Sequence, residues 1–429
     1  MRVIRVIPFY FWAILPMVAA ACQSKNAVLH ASHPKTAQLD SLFGYLYAEG
    51  MFNGAVAVVD HGTLIFRKAY GVANLEDSSV FESQTAMEVA SVSKQFTAAA
   101  IMDLAQDRKL SISDDIRAYL PEGFPYEGIT IKHLLSHTSG MPDYTEYFKA
   151  HWPEDQLANN MDIVTYFIEH QPEIKFLPGT DYDYSNTGYV LLAEIVESAS
   201  GLKLDAYLEK QLFTPYAFQH AGFYRRSEIY NMPHYAPSFR WSKDSCRYVR
   251  PEHLPGKAYY YFLSDRLGPG RLSLSVEDLL QWDRLLYRDD FLSSESKAAM
   301  FTPVNYKGVE TDYGFGWHNY IDDKVGAVSY HTGSWAGNLS YIKRFRDVQS
   351  TIILLNNTNS PYMKAIRNAV DAMLTDRTVE PIYPSLKERF TMGSCQDGFD
   401  AKQWLEEVDL AEYSFTEEEL AAIKDTIHD

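Results

Sequence analysis

Strand-forming segments stand at both ends of this 429-residue chain, and a long helix-patterned stretch separates them. Near the start, Gly54-Ala-Val-Ala-Val-Val59 and Thr63 to Tyr70 flank Asp60-His61-Gly62, a pattern that predicts two strands and a tight turn. Near the end, Gly326 to His331, Asn338 to Phe345 and Thr351 to Asn356 repeat the signal, with Arg346-Asp347 breaking the last two apart. Pro361 to Leu374 predicts a closing helix. From about residue 86 to 300, apolar residues recur at helical spacing instead. This order suits an α+β fold: an antiparallel sheet built from both chain ends, helices on its faces, and an inserted helical region. The chain is 46% hydrophobic, enough for a large core. The main domain is expected over residues 39–376. From Arg377 onward the pattern changes; Glu406-Glu407, Glu417-Glu418-Glu419 and an N-cap at Thr416 predict an acidic, helical appendage over 377–429.

The first 22 residues carry the marks of an export signal. Arg2 and Arg5 precede an apolar run from Val6 to Ala21, and Ala19-Ala20-Ala21 places small residues before Cys22. Pro8 and Pro16 make the run a poor permanent membrane helix. The end of this segment resembles a bacterial lipobox, with Ala19 where leucine is usual, which implies lipidation of Cys22; cleavage without a lipid is the alternative. Residues 23–38 are expected to be a linker, and the protein is expected at the cell envelope. A net charge of -17 and the lack of a basic stripe exclude nucleic acid as a partner. Cys246 and Cys395 are the remaining cysteines. An exported chain permits a bridge between them, two free thiols are the alternative, and neither has metal-like spacing.

Chemistry concentrates in three motifs. Ser91-Val-Ser-Lys94 opens a stretch to Ala105 without Gly or Pro, so Ser91 is expected to begin a helix with Lys94 one turn on and on the same face. A helix start favours negative charge on a serine oxygen, and a lysine in apolar surroundings loses proton affinity. Ser-x-x-Lys also begins at Ser32, Ser294 and Ser340, but those contexts are a linker, a helix without companions, and a strand. Tyr184-Ser-Asn186 is the chain's one Tyr-x-Asn, despite 30 tyrosines. It supplies a phenol that a nearby lysine can hold partly deprotonated, and an amide to grip a substrate carbonyl. His331-Thr332-Gly333-Ser334 ends a strand-like run, where the glycine lets a substrate backbone approach the strand edge.

In this order the three motifs resemble the serine β-lactamase and penicillin-binding protein superfamily. The tyrosine form of the middle motif is similar to class C β-lactamases and their carboxypeptidase, D-amino-acid amidase and esterase relatives. The resemblance spans roughly Leu39 to Leu374. It is supported by Ile131-Lys-His-Leu-Leu-Ser-His-Thr-Ser-Gly140-Met-Pro142, Pro178-Gly179, Ser275-Val-Glu-Asp278-Leu-Leu-Gln-Trp282 and Tyr313-Gly-Phe-Gly-Trp317. It implies acyl transfer without a cofactor: Ser91 attacks a carbonyl, Lys94 and Tyr184 handle the proton, and the backbone N–H groups of Ser91 and Ser334 hold the oxyanion. Substrates would be cell-wall or D-amino-acid peptides or small esters; a true β-lactamase and a non-catalytic envelope binder are the alternatives. His331 stands where the β-lactamases usually carry lysine. Strong carboxylate anchoring is therefore not expected near pH 7, and hydrolysis of carboxylate-bearing substrates should improve as pH falls towards 6.

Other candidates carry less. His133 and His137 sit four apart, but Leu134 replaces the glutamate of a zinc motif, so both are read as structural and no metal is expected. No Gly-x-Ser-x-Gly elbow and no phosphate loop occur. Tyr259-Tyr260-Tyr261-Phe262 either lines a cleft or packs under a loop, and Trp152, Trp335 and Arg225-Arg226 share that ambiguity.

Overall fold

The structure is a computed structural model that describes residues 33–306, 308–395 and 398–428. The export segment and Cys22 lie outside the described residues. The elements that position the site are helix α1 (Pro34–Ala48), strands β1 (Gly54–Asp60) and β2 (Thr63–Tyr70), helices α2 (Ser93–Gln106), α3 (Asn186–Ser200) and α4 (Val276–Leu285), strands β3 (His318–Asp322), β4 (Gly326–Trp335), β5 (Asn338–Phe345) and β6 (Ser350–Asn356), and helix α5 (Met363–Leu374).

The two chain ends do meet. The sheet order is β3-β4-β5-β6-β1-β2, every pairing is antiparallel, and Gly54 of β1 stands opposite Asn356 of β6. The β1–β2 turn uses His61 at φ 48° and Gly62 at φ 74°, the two left-handed residues a tight hairpin of the right twist requires. Both faces of β1 are buried, which is why its sequence runs apolar without alternation. On one face Val56 and Val58, with Ile352 and Leu354 of β6, pack against Leu39, Phe43 and Leu46 of α1 and Ile366 and Val370 of α5. On the other, Ala55, Ala57, Ile353 and Leu355 face α2, α3 and α4 in a larger core.

Helix α1 begins at Pro34, five residues before the expected domain start at residue 39. Proline suits the first helical position, and the spacing of Leu39, Phe43 and Leu46 supplies the apolar stripe that covers the sheet. Lys35 adds an ion pair to the buried Asp60 at 3.3 Å. Strand β4 runs to Trp335, four residues past the expected end, and the polar edge strand β3 was not foreseen. The helical middle also carries short strands: Met87–Glu88 and Gly222–Phe223 flank Leu272–Leu274, and Arg240–Ser242 pairs with Arg247–Val249. The last segment forms helices Leu386–Gly393, Ala401–Glu407 and Glu417–His428 around a small core of Leu386, Leu420 and Ile423. Of the two alternatives for the cysteines, the structure has the bridge: Cys246 and Cys395 are joined, with Cα atoms 5.5 Å apart. Arg389 also ion-pairs with Glu49 at 2.8 Å, and the Ser385 N–H donates to the Tyr362 hydroxyl at 2.7 Å, so polar contacts add to the bridge in fastening the segment to the main body.

Candidate active site

Ser91 lies in a single tight turn, Ala90–Val92, that runs directly into α2 at Ser93. The serine therefore precedes the helix proper by two residues rather than opening it. Ala90 adopts φ 47°, a left-handed conformation that costs a residue with a Cβ about 1–3 kcal/mol and must be held by its surroundings. Three contacts hold it. The Val89 N–H donates to the Leu272 carbonyl at 2.9 Å. The Ser340 hydroxyl donates to the Val89 carbonyl at 2.6 Å. Gly333 of β4 lies flat against the turn: a Cβ there would stand 2.2 Å from both the Val89 oxygen and Ser340 Oγ. The glycine of the third motif thus admits the protein's own backbone, not a substrate's. Ser340, from one of the discounted Ser-x-x-Lys tetrapeptides, turns out to brace the nucleophile's turn.

Lys94 sits in the first turn of α2 with no exposed surface. Its Nζ lies 3.2 Å from Ser91 Oγ, 3.0 Å from Asn186 Oδ1 and 3.0 Å from the Pro269 carbonyl. Burial, aided by the positive charge of Arg266, pushes its ammonium well below the ordinary lysine pKa, against the opposing pull of Asp143. The neutral amine has two N–H groups and one lone pair. In that neutral form Asn186 Oδ1 and the Pro269 carbonyl, which only accept, take both N–H groups and leave the lone pair for the Ser91 hydroxyl; as an ammonium Lys94 donates to Ser91 Oγ as well. Asp143 fixes this polarity: its Oδ2 accepts from Asn186 Nδ2 at 3.0 Å and from the Asn186 backbone N–H at 2.8 Å. Sequence reading missed Asp143, although it directly follows Gly140-Met-Pro142. The Asn186 amide thus holds Lys94 and Asp143 with its oxygen and one N–H, and its second N–H is left for the cleft that it lines.

Tyr184 is placed by the start of α3 and by His137, whose ring centroid lies 4.2 Å from its own. His137 Nδ1 accepts the Ser185 N–H at 3.2 Å, and His133 caps a helix by accepting the Thr130 N–H at 3.1 Å, so both histidines have structural partners. Among the described residues no cluster of His, Cys, Asp and Glu is arranged to hold a metal. Burial raises the Tyr184 pKa, and its hydrogen bond with Ser91 lowers it only in part. Lys94 Nζ stands over the ring face, 4.7 Å from the centroid. Burial thus opposes the partly deprotonated phenol expected from a cationic neighbour.

His331 is 2% exposed, with its ring centroid 6.2 Å from that of Tyr184. Its Nδ1–H donates to the Thr332 carbonyl at 2.6 Å, and Nε2 and the Tyr313 hydroxyl share a hydrogen bond of 2.9 Å. Burial first, then the charges of His318 and Lys94, push its pKa well below the ordinary value. This burial opposes the gain of charge on His331 towards pH 6 that the sequence led one to expect. Thr332 is half-buried beside it, and Ser334, exposed at the end of β4, reaches the cleft with Trp335.

The cleft in front of Ser91 has a volume of about 380 Å³ and is walled by Tyr184, Asn186, Arg266, Gly270, Ser334 and Trp335. Tyr260 packs edge-on to Trp335 at 5.2 Å, so part of the aromatic run does back the cleft. Arg226 does not: it is buried in an ion pair with Glu252 at 2.7 Å. Trp152 stacks on Phe148. The flanking motifs act on α2. Trp282 stacks on Phe96 at 4.6 Å and donates to Gln95 Oε1 at 3.1 Å, and a Cβ at Gly316 would meet the Lys94 carbonyl at 2.8 Å.

A serine and lysine in contact beside a half-buried phenol, at the rim of an antiparallel sheet, have the groups acyl transfer requires. The comparisons with known proteins agree. The Beta-lactamase family model matches residues 39–376. Penicillin-binding protein 4* of Bacillus subtilis (strain 168) is 36% identical over 344 residues, covering 79% of this chain and 76% of that protein. The putative penicillin-binding protein PbpX of the same strain is 27% identical over 354 residues, covering 82% of this chain and 83% of that one. The crystal structure of a penicillin binding protein from Bacillus halodurans superimposes with a TM-score of 0.67 at 25% identity, covering 77% of this chain and 98% of that one, so the fold is the one the motifs implied. The chain belongs to the beta-lactamase family and is a serine hydrolase of the β-lactamase and penicillin-binding-protein superfamily, acting on amide or ester bonds through an acyl-serine intermediate.

Proposed function

We propose that the protein is an exported, class C-type hydrolase of cell-wall peptides, D-amino-acid peptides or small esters, with Ser91, Lys94 and Tyr184 as its catalytic residues. The observation that carries the roles is the saturation of Lys94. With both N–H groups engaged by Asn186 and Pro269, the amine lone pair takes the Ser91 proton as Oγ bonds to the substrate carbonyl carbon. The backbone N–H groups of Ser91 and Ser334 receive the oxyanion, each worth about 10²–10³ in rate. The protonated phenol of Tyr184 gives its proton to the departing nitrogen or oxygen as that bond breaks, and is reprotonated from Lys94. Water then adds to the acyl-enzyme, its proton passing to the same pair, and Ser91 leaves with a proton regained.

The burial of His331, with both ring nitrogens hydrogen-bonded to Tyr313 and Thr332, favours peptides and esters over carboxylate-anchored β-lactams. Export and a lipid at Cys22 are supported by the charged, apolar and small-residue order of the first 22 residues. The match over 39–376 supports reading 377–429 as an appendage outside the catalytic domain. The test is a fluorophosphonate label followed by turnover of a short-chain nitrophenyl ester, a D-Ala-D-Ala peptide and a chromogenic cephalosporin. The wild type should label, Ser91→Ala should not, and peptide or ester should be cleaved faster than the cephalosporin. Faster cephalosporin turnover makes the protein a β-lactamase, and no labelling of either chain makes it a non-catalytic binder.

A further inference from the structure

Tyr184 stands just before α3, in residues 181–185, which form neither helix nor strand. Its hydroxyl must nevertheless be held at one place beside Ser91. His137 grips the tyrosine from three sides. Its carbonyl accepts the Asp183 N–H at 3.0 Å, on the residue before Tyr184. Its Nδ1 accepts the Ser185 N–H at 3.2 Å, on the residue after. Its ring centroid lies 4.2 Å from that of Tyr184, and the ring is backed by Tyr313 at 4.6 Å and Tyr189 at 5.2 Å. The grip has a conformational cost. His137 adopts φ 60°, the left-handed region that a residue with a Cβ avoids, and such a conformation persists only where its surroundings enforce it. Because Nδ1 accepts, the ring carries its proton on Nε2 and is neutral. Burial pushes its pKa well below the ordinary histidine value, so the accepting lone pair is kept at neutral pH.

We propose that His137 is the positioning residue of Tyr184, holding the phenol where it can hand its proton to the leaving group. Its two hydrogen bonds fix the backbone on both sides of the tyrosine, and its ring fixes the plane of the phenol. The demand for this placement falls on substrates whose leaving group must gain a proton as the bond breaks, alcohols and amines. Substrates whose leaving group departs as a stable anion are spared. His137 thus sets which leaving groups the enzyme can expel, without touching the substrate.

This inference rests on proton delivery by Tyr184, and the test separates the two. Nitrophenyl butyrate and ethyl butyrate share an acyl group, but nitrophenolate leaves without a proton and ethoxide does not. The ratio of ethyl to nitrophenyl kcat/KM is taken within each variant, so loss of folded protein cancels. His137→Asn tolerates the left-handed backbone but removes the ring, and His137→Phe keeps a ring but removes the acceptor. Each should lower the ratio by about 10- to 100-fold, with kcat for the ethyl ester changing more than KM. A drop in one variant alone still supports the proposal and tells whether ring or acceptor does the holding. Added to Tyr184→Phe, whose own ratio should already be low, His137→Asn should change it by less than about two-fold. A ratio unchanged in both His137 variants overturns the proposal, as does a full further drop in Tyr184→Phe. Loss of fluorophosphonate labelling in both variants also overturns it, by giving His137 a part in the fold alone. A wild type that cleaves only the nitrophenyl ester, or an unchanged ratio in Tyr184→Phe itself, removes the acid role of Tyr184 and the inference together.

Discussion

The two walls of the cleft are built on different principles. The wall formed by β4 is neutral and steric: Gly333 yields its Cβ space to the Val89–Ala90 backbone, and His331 is locked between Tyr313 and the Thr332 carbonyl. The opposite wall, from Asp143, Asn186 and the Arg266–Gly270 loop, is charged and directional, and it sets the state of Lys94. The first wall positions the nucleophile; the second decides when it reacts. A motif that marks the strand therefore says little about the charge the substrate meets.

If that division is right, damage to the charged wall should change proton handling, and damage to the neutral wall should not. The largest effect is expected from Lys94→Ala, which removes the base: stopped-flow acylation by a nitrophenyl ester should fall by at least roughly 10³-fold, with little change in folding. Asp143→Ala comes next. It frees the Asn186 amide to turn its N–H₂ towards Lys94, and the resulting misplacement should lower kcat about 10²-fold while KM changes less. The smallest effect is expected from His331→Gln. The ratio of carboxylate to neutral substrate turnover should stay within about two-fold of wild type, and the wild-type profile should show no inflection near the reference histidine pKa of about 6.5. An inflection there that disappears in His331→Gln would return the histidine to the substrate.

The sheet was legible because its signals are local. The apolar runs at 54–59 and 351–356 report strands buried on both faces, and the His61-Gly62 turn reports its own backbone geometry. The polar β3 was not legible, since an edge strand needs only one neighbour and no apolar face. Among the candidate site residues, Ser91 and Lys94 could be picked out by the context of their motif, and Tyr184 by the uniqueness of its Tyr-x-Asn. Asp143 and Arg266 could not: each acts through a partner distant in the chain, Asn186 for the one and Lys94 for the other. The hydrogen bonds of Asn186 and His331 were hidden for the same reason, since their partners lie far away in the chain. Ser340 makes the point in reverse, a tetrapeptide with the nucleophile's spelling that serves as its brace.

The central claim is that Lys94 reaches Ser91 as a neutral amine. Its most direct test is the rate at which an activated ester acylates Ser91 between pH 6 and 10, followed by mass spectrometry with peptide mapping. The adduct should sit on Ser91 alone, and its rate should rise with pH as Lys94 loses its proton, then level off well below the ordinary lysine pKa of about 10.4. An adduct on another residue, or a rate still climbing as the pH reaches 10, would contradict it.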